Sequence, residues 1–341
     1  MTTTPVYPET RYMGSKEKLT ARIMETAAEF GKDVFVDVFS GSGVVAHAAK
    51  RHGYAVHTND YLRFCATYTK AMVENSSERL SDELVERLVA HPDPGDGFVE
   101  RTYTDIFYHR TDTRAIDRIR TGIRELGLSE YEAAIAVSGL VRACLKKRPR
   151  GIFTYTGLRY DDGRRDLRLS IEEHFRIQVA KVNAAVFDNG RRSYSTNLDF
   201  RELEVPENAI LYLDPPYYSP VSDNQYVRRY HFVEGLSREW RDVEMQPHTK
   251  TRKFANFPTP FSTQNGTLEA LREILSAHPG NDVILSYSSN SLPTKEELVE
   301  LFIQVGRTVR VAEVNHRYSF STREKTTRNQ VKEYLFTSPG V

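Results

Sequence analysis

Cysteine and tryptophan are scarce in this chain of 341 residues, which contains two cysteines and one tryptophan. Cys65 and Cys144 are too few for a disulfide framework, and neither belongs to a C-x-x-C pair. This cysteine usage favours a reducing compartment and excludes a zinc site built on cysteine. We expect no metal site, and a core of apolar side chains alone, since a chain of this length buries enough surface.

Long hydrophobic runs are also missing. The longest apolar stretch, 133–145, is interrupted by Ser138 and Arg142 and falls short of the ~20 residues that a transmembrane helix needs. The first six residues, Met-Thr-Thr-Thr-Pro-Val, have neither the basic patch nor the apolar segment of a signal peptide. We therefore expect a cytoplasmic protein that is neither secreted nor inserted in a membrane.

The chain also lacks a net charge of one sign, because 47 lysines and arginines stand against 46 aspartates and glutamates. The balance is not uniform along the sequence. Residues 142–192 contain 13 basic and 6 acidic side chains, a local charge of +7, so the remainder carries −6. A run of charge is most often a solvated surface, so this segment alone does not identify a partner.

The first sixty residues alternate between helical and extended patterns. Residues 16–30 have the apolar spacing of a helix, and 34–39 form the nearly continuous apolar run of a buried parallel strand. A Gly-rich turn at 41–43 leads into a second helical pattern at 44–50, and 54–58 predicts a second strand. This order predicts an α/β fold, with an open parallel sheet and helices on its faces.

Helical spacing dominates from residue 61 onward, and we assign 61–190 to an inserted, mostly helical region between the two parts of an α/β domain, 1–60 and 191–341. The helices are predicted at 62–75, 78–90, 112–126, 129–146 and 170–186. The later strands are predicted at 194–197, 209–213 and 283–287, followed by a helix at 294–304 and a C-terminal hairpin of 308–314 with 331–336.

The turn Gly41-Ser-Gly43 lies between a predicted strand and a predicted helix. Such a turn lets a nucleotide-like ligand approach backbone N–H groups at a helix N-terminus, although a tight turn without a ligand gives the same pattern. Asp60 follows the next strand, where an acidic residue binds a ribose diol. A strand-end aspartate is otherwise often a helix cap. Together the two features indicate a ligand of the adenosine type, without specifying which.

The motif Asp214-Pro-Pro-Tyr217 follows the apolar strand pattern at 210–213. It therefore lies at the carboxyl end of a strand, where open α/β sheets bind ligands. Its chance occurrence in a chain this long is on the order of one in a thousand. Two prolines stiffen the backbone, so that the Asp214 carboxylate and the Pro215 carbonyl present two acceptors to one point, which suits an exocyclic amine. Tyr217 adds an aromatic face for an unstacked base.

With these motifs in this order, the chain resembles the D12 class of adenine-specific DNA methyltransferases, which includes the Dam-type enzymes. The resemblance spans most of the chain and rests on Arg11-Tyr-Met-Gly-Ser-Lys16, Asp37-x-Phe-x-Gly-x-Gly43, Asp60, Asp199-Phe200 and Asp214-Pro-Pro-Tyr217. It implies a Rossmann-like S-adenosylmethionine-dependent methyltransferase sheet and a target-recognition region in the helical insertion. The stretch 223–262 is longer than the family core requires.

The resemblance also implies roles for individual residues. Tyr12 and Lys16 would contact the cofactor, the 41–43 turn would wrap its methionine part, Asp60 would bind the ribose hydroxyls, and Asp199-Phe200 would hold the adenine. The implied cofactor set is Tyr12, Gly14, Ser15, Lys16, Asp37, Phe39, Gly41, Ser42, Gly43, Asp60, Asp199, Phe200 and Asp214. The implied catalytic set, which would hold the target adenine, is Asp214, Pro215, Pro216 and Tyr217.

In the context of this motif the basic segment becomes a predicted DNA surface, because glycines and aromatic residues lie among its charges. Arginines would divide between phosphates and guanine edges. The predicted DNA-binding set is Lys146, Lys147, Arg148, Arg150, Arg159, Arg164, Arg165, Arg228 and Arg229. The predicted partner is double-stranded DNA, with a restriction endonuclease as a further possible partner that reads the same site.

Other readings of the motifs stay open at this point. The same chemistry serves an RNA adenine or the N4 amine of cytosine, since all are exocyclic amines. A nicotinamide-dependent oxidoreductase could use the 41–46 turn, but it leaves Asp214-Pro-Pro-Tyr217 unexplained. A cofactor-free DNA-binding module would bind DNA without transferring a methyl group.

Overall fold

The structure, a computed structural model, describes residues 5–9, 11–95, 97–157, 161, 163–220, 226–316 and 331–341. Within these residues one sheet of seven strands runs in the order β3-β2-β1-β4-β5-β7-β6. Strands β1 to β5 are parallel, and β7 lies antiparallel between β5 and β6. The strands are β1 Val34–Asp37, β2 Ala55–Asn59, β3 Tyr194–Thr196, β4 Ile210–Leu213, β5 Asp282–Ser288, β6 Arg310–His316 and β7 Val331–Ser338.

The sheet has helices on both faces, and two apolar clusters hold them there. On one face, Ile23 and Met24 of the first helix pack with Ile210 and Ile284 of the central strands. On the other face, Leu271 and Leu301 belong to the last two helices and pack with Leu211. These four helices are α1 Thr20–Ala28, α2 Val44–Arg51, α11 Gln264–Ala277 and α12 Lys295–Gln304.

A third apolar cluster unites the helices between β2 and β3. Helix α7, Glu130–Lys147, packs closely on α9, Ile171–Ala185, where a Cβ on Gly139 would meet Val179 Cγ2 at 2.5 Å. Capping boxes begin both helices, Ser129 with Glu132 and Ser170 with Glu173. The helices are α3 Arg63–Thr69, α4 Asp82–Val89, α5 Phe98–Tyr103, α6 Arg110–Glu125, α7 Glu130–Lys147, α8 Arg165–Arg168 and α9 Ile171–Ala185, with a π-helical turn at Lys70–Glu74.

The segment after β4 also packs into this helical cluster. It forms α10, Tyr226–Arg238, whose Phe232 and Leu236 are buried there together with Trp240. The indole Nε1 of Trp240 donates to the Tyr103 hydroxyl at 3.0 Å. The helical cluster is therefore built from two separate stretches of sequence, 62–185 and 226–254, although 191–341 was assigned to the α/β domain. The functional division into domains stays a prediction.

The α/β fold with its mixed sheet and C-terminal hairpin is confirmed, and the predicted strands differ from the observed ones by one or two residues at their ends. The five helices predicted between 62 and 186 are present, whereas α5, α8, α10 and α11 were not predicted. Residues 317–330 of the hairpin loop and Arg159 lie outside the described residues. Within the described residues, no helix combines the length and hydropathy of a membrane span.

The prediction that Arg148 contacts DNA is wrong, because its side chain is fully buried. The guanidinium donates to the carbonyls of Phe107 at 3.4 Å and Ile152 at 3.2 Å. It also donates to the carbonyls of Gly157 and Tyr155, and it stacks 4.3 Å from the ring centre of Tyr155. Arg148 therefore holds the loop 148–157 in place from inside.

Replacing Arg148 with Met should lower the free energy of unfolding by about 3 kcal/mol, because it leaves buried carbonyls without a donor. The exposed Arg150 of the same loop provides the matched control, and Arg150→Met should change that free energy by less than about 0.5 kcal/mol. Urea unfolding followed by circular dichroism measures both. Equal stability of the two variants would contradict the buried role of Arg148.

Candidate active site

A cavity of about 470 Å³ opens at the carboxyl ends of the parallel strands. The cavity lies beside β1, which has β2 on one side and β4 on the other. This is the point where the order of the strands changes direction, and open α/β sheets bind ligands there. Asp37 is the last residue of β1, Asp60 follows β2, and Asp214 follows β4. Parallel strands end at one edge, so the topology brings these carboxylates together.

The charges that line this cavity are unbalanced. Four carboxylates, those of Asp37, Asp60, Asp199 and Asp214, face one ammonium group, that of Lys16. Lys16 is the sole lysine or arginine among the described residues that line the cavity. An excess of negative charge in a partly enclosed site favours a cationic ligand.

Asp60 holds the Gly-rich turn against the start of α3. Its Oδ2 accepts from the Gly41 N–H at 2.7 Å, and its Oδ1 accepts from the Leu62 N–H at 2.8 Å. Burial nevertheless raises the pKa of Asp60 to about 6, and the two amide bonds only partly offset it. Each oxygen retains a second lone pair, so the carboxylate can still accept hydroxyl donors from the cavity.

Among the described residues, no hydrogen bond of normal geometry reaches either oxygen of the buried Asp37 carboxylate, although the backbone N–H groups of Ala46 and Phe39 lie near enough to lower its pKa. Burial raises the pKa of Asp37 well above its usual range, and the nearby Asp214 and Asp60 carboxylates raise it further. A buried and unsatisfied carboxylate is costly. Its place beside the cavity indicates that a bound donor or cation completes it.

Asp214 connects the N-terminal segment to the motif after β4. The Lys16 ammonium lies 3.0 Å from Asp214 Oδ1, donates to the Gly14 carbonyl at 3.2 Å, and sits 4.8 Å from the centre of the Tyr217 ring. The Tyr217 hydroxyl donates to the same Oδ1 at 2.6 Å. No described residue donates a hydrogen bond to Oδ2. Burial and then the Asp214 charge raise the pKa of Tyr217, so its hydroxyl stays protonated.

Residues 11–16, which we call the Tyr12 segment, form one wall of the cavity. Two glycines allow the backbone to approach the aromatic rings of this wall closely. The Tyr12 ring stacks on Tyr230 at 5.3 Å with an interplanar angle of 7°. A Cβ on Gly41 would meet that ring at 3.0 Å, and the positive φ of Gly41, 49°, further disfavours a side chain there. Gly14, with φ of 78°, likewise leaves no room for a Cβ beside the Tyr226 hydroxyl.

Three phenylalanines form an aromatic wall on the other side. Phe39 lies 5.2 Å from Phe261 in an edge-to-face arrangement, and both rings lie within 6 Å of Phe200. The guanidinium of Arg201 covers Phe200 at 4.6 Å from its centre, while the backbone N–H of Arg201 donates to Asp199. An apolar aromatic wall next to a carboxylate suits an adenine ring, whose faces are apolar and whose edge carries an amine.

Comparison with known proteins decides the family. The sequence profile of the D12 class N6 adenine-specific DNA methyltransferases matches residues 12–303. This chain belongs to that family. It is similar to the type II methyltransferase M2.HphI of Haemophilus parahaemolyticus, with 31% identity over 97% of this chain and 98% of that protein.

Two further relatives are the modification methylase StsI of Streptococcus sanguinis and the type II methyltransferase M.FokI of Planomicrobium okeanokoites, each 25% identical over 96% of this chain. This chain spans about half the length of both proteins, 51% of StsI and 52% of M.FokI. As a D12-class enzyme, the chain is an adenine-specific DNA methyltransferase that uses S-adenosylmethionine.

The cavity of this D12 methyltransferase fits that cofactor. S-adenosylmethionine carries a sulfonium and an ammonium group beside one carboxylate, and its net positive charge matches the excess of carboxylates in the cavity. Its adenine matches the wall formed by Phe39, Phe200 and Phe261. Its ribose offers hydroxyl donors to acceptors such as Asp60.

Nearly all of the residues that the resemblance assigned to the cofactor and to catalysis line this one cavity. Gly43 and Pro215 do not. Gly43 precedes α2 with φ of 82° and shapes the turn, and Pro215 is buried behind the motif. Residues 256–262, Tyr226 and Val227 also line the cavity, although the sequence did not predict this. The two phenylalanines and two prolines of 256–262 were the available signal.

The predicted DNA-binding residues divide by exposure. Arg150, Arg164, Arg165 and Arg228 are exposed. Lys146 and Lys147 are mostly buried: Lys146 pairs with Glu9 at 3.5 Å, and Lys147 pairs with Asp112 at 3.4 Å. The Arg229 guanidinium donates to the Met13 sulfur at 2.8 Å, so it lies against the Tyr12 segment.

Proposed function

We propose that Asp214, Pro215, Pro216 and Tyr217 hold the target adenine of this methyltransferase at the edge of the cofactor cavity. The observation that carries this proposal is the placement of Asp214. Its Oδ1 is occupied by Lys16 and Tyr217, so Oδ2 is the oxygen available to an N6 amine. The stiff Pro-Pro backbone keeps the carboxylate in this position.

The cofactor-binding roles follow from the same geometry. Asp60 would accept the ribose hydroxyls, and Asp37 would meet the positive charge of the methionine part. The Gly41 to Gly43 turn would leave room for that part beside Tyr12, and Phe39, Phe200 and Phe261 would flank the adenine. Lys16 supports the Asp214 end of the cavity by holding both Gly14 and Asp214.

Methyl transfer requires that the N6 amine and the methyl group be aligned, more than that a protein group be activated as a nucleophile. S-adenosylmethionine, when bound, supplies a methyl group that its sulfonium makes strongly electrophilic. The N6 lone pair of adenine is conjugated into the ring and nucleophilically weak, so Asp214 Oδ2 would accept from the amine and turn its lone pair toward that methyl group. The cofactor would give up this methyl group and leave as a neutral thioether, and the proton that N6 releases would pass to solvent. No covalent nucleophile on the protein is needed.

Access to N6 requires that the adenine leave the duplex, which costs a few kcal/mol of unpairing and unstacking. The exposed Arg150, Arg164, Arg165 and Arg228 would stabilise the bound duplex by contacting its phosphates and guanine edges. Arg150 lies in the loop 148–157, Arg164 and Arg165 lie at the start of α8, and Arg228 lies in α10. These elements lie in or beside the helical cluster. Target recognition is therefore proposed for that cluster.

The biological setting is also a proposal. The relatives' names identify type II methyltransferases and modification methylases, which supports a restriction-modification role. A restriction endonuclease that reads the same DNA site would then be a functional partner without a stable complex. We place the activity in the cytoplasm, where the DNA substrate is found.

Asp214→Ala should reduce transfer of labelled methyl from S-adenosylmethionine to duplex DNA by at least about a hundredfold, because the amine loses its acceptor. Asp33→Ala removes an exposed carboxylate at the opposite end of the sheet and should leave the rate unchanged. The labelled base is identified after digestion. Label on cytosine, preferential label in RNA, or full activity of Asp214→Ala would overturn the proposal.

Cofactor affinity should depend on the ionisation of Asp60. Hydroxyl groups donate more strongly to a carboxylate than to a carboxylic acid, and the pKa of Asp60 is about 6. The affinity for S-adenosylmethionine, measured by calorimetry, should therefore fall as the pH is lowered through about 6. Asp60→Asn should bind more weakly and lose that pH dependence. A pH dependence of the same size in Asp60→Asn would assign it to another group.

The combined variant Arg150→Ala, Arg164→Ala and Arg165→Ala should weaken DNA binding and reduce the slope of log affinity against log salt by up to about 3, one unit for each phosphate contact. A matched control removes three arginines from the sheet's own helices, the exposed Arg22 and Arg51 and the half-exposed Arg272. Fluorescence anisotropy at several salt concentrations measures both. Equal slopes would show that these loop arginines do not face the DNA.

A further inference from the structure

One face of α10 contacts two separate parts of the chain beside the cofactor cavity, Met13 and the start of α3. Tyr226, Tyr230 and Glu234 are four residues apart and so lie on the same side of the helix. The Tyr226 hydroxyl donates to the Met13 carbonyl at 3.3 Å, and the Met13 N–H donates to the Tyr230 hydroxyl at 2.8 Å. Tyr226 and Tyr230 thus hold the Tyr12 segment in place.

Glu234, on the same face of α10, holds the start of α3, which follows the cavity residues Tyr61 and Leu62. Its side chain is fully buried. Oε1 accepts from the Arg63 N–H at 3.1 Å, and Oε2 accepts from the Phe64 N–H at 3.2 Å. These are the first two amides of α3, which no helical carbonyl can satisfy. A negative charge is favoured at this end of a helix.

The preceding backbone amide, that of Leu62, donates to the carboxylate of Asp60 instead. The Leu62 N–H donates to Asp60 Oδ1 at 2.8 Å, so two carboxylates take three successive amides at the start of α3. One of them is the proposed ribose acceptor, and the other comes from 174 positions further along the sequence. The position of Asp60 relative to α3 therefore depends on where α10 places Glu234.

A second path of contacts joins Glu234 to the same turn. The Arg238 Nε lies 3.4 Å from Glu234 Oε1, and the Arg238 guanidinium covers the Phe257 ring at 4.9 Å. Phe257 meets Tyr61 edge to face at 5.7 Å, and both rings line the cavity. The contacts thus form a closed ring around residues 60–64.

Stability alone does not account for this carboxylate. Burial raises the pKa of Glu234 to about 7 despite its two amide bonds. A buried charge is frequently less stabilising than an apolar residue of similar volume. What a carboxylate provides, and an apolar residue does not, is a fixed position for two backbone amides.

We propose that Glu234 is a positioning residue for cofactor binding, which holds the start of α3 so that Asp60 faces the ribose. This inference rests on the proposed role of Asp60. It also gives a function to the stretch 223–262, which exceeds what the family core requires.

The test compares Glu234→Gln with Glu239→Gln in the full chain. Glu239 makes the same chemical change at a half-exposed site, where it pairs with Arg241 at 2.8 Å. Glu234→Gln should weaken binding of S-adenosylmethionine, measured by calorimetry, about tenfold through loss of a charge-assisted bond. Its kcat at saturating cofactor and its KM for DNA should stay within about twofold of wild type. Hydrogen exchange of residues 62–64 in the cofactor-free protein should be faster. Glu239→Gln should match wild type throughout.

Asp60→Ala separates this inference from the proposed function. If Asp60→Ala binds the cofactor normally, the proposed role of Asp60 fails, and the inference fails with it. If Asp60→Ala binds weakly but Glu234→Gln binds like wild type, the inference alone is wrong. A Glu234→Gln protein with reduced kcat and unchanged cofactor affinity also contradicts it.

Arg238→Gln provides a second variant, in case Glu234→Gln does not fold. Its side chain is 22% exposed, and its loss removes the partner of Glu234 and the cover of Phe257 without removing the amide bonds. Cofactor affinity should fall by a smaller factor at unchanged kcat. Unchanged affinity would contradict the proposal.

Discussion

The ion pair between Lys16 and Asp214 is the contact on which the rest of the site depends. It joins the N-terminal segment to the motif that follows β4, two parts of the chain that are 198 positions apart in the sequence. It also places one positive charge among four carboxylates. The carboxylates outnumber this one positive charge, which favours a cationic ligand in the cavity.

This arrangement explains how a chain with nearly balanced charge serves a polyanionic substrate. The basic excess of residues 142–192 lies in the helical cluster, while the acidic residues line the cofactor cavity. The exposed arginines of the loop and α8 can meet phosphates without neutralising the carboxylates around Lys16. The helix α10 contacts both regions: its Arg229 carbonyl accepts from the Phe153 N–H at 2.9 Å, and its Glu234 holds the start of α3.

The sequence predicted those parts of the site whose positions follow from the parallel order of the strands. Asp37, Asp60 and Asp214 each follow an apolar strand, and the carboxyl ends of neighbouring parallel strands meet at one edge. Arg148 could not be placed in this way, because its burial depends on three carbonyls of the folded loop and on the distant carbonyl of Phe107. The role of α10 was equally hidden. Its anchors, Trp240 on Tyr103 and Glu234 on α3, are side-chain contacts between residues more than a hundred positions apart.

The central claim is that Asp214, held by Lys16 and Tyr217, directs methyl transfer to the N6 amine of adenine within one recognised DNA sequence. Single-molecule sequencing of genomic DNA from cells that express the wild-type chain or Asp214→Ala tests it most directly. We predict N6-methyladenine in a single sequence context with the wild type, and none with Asp214→Ala. Methylation at cytosine N4, or the same adenine methylation with both proteins, would contradict the account.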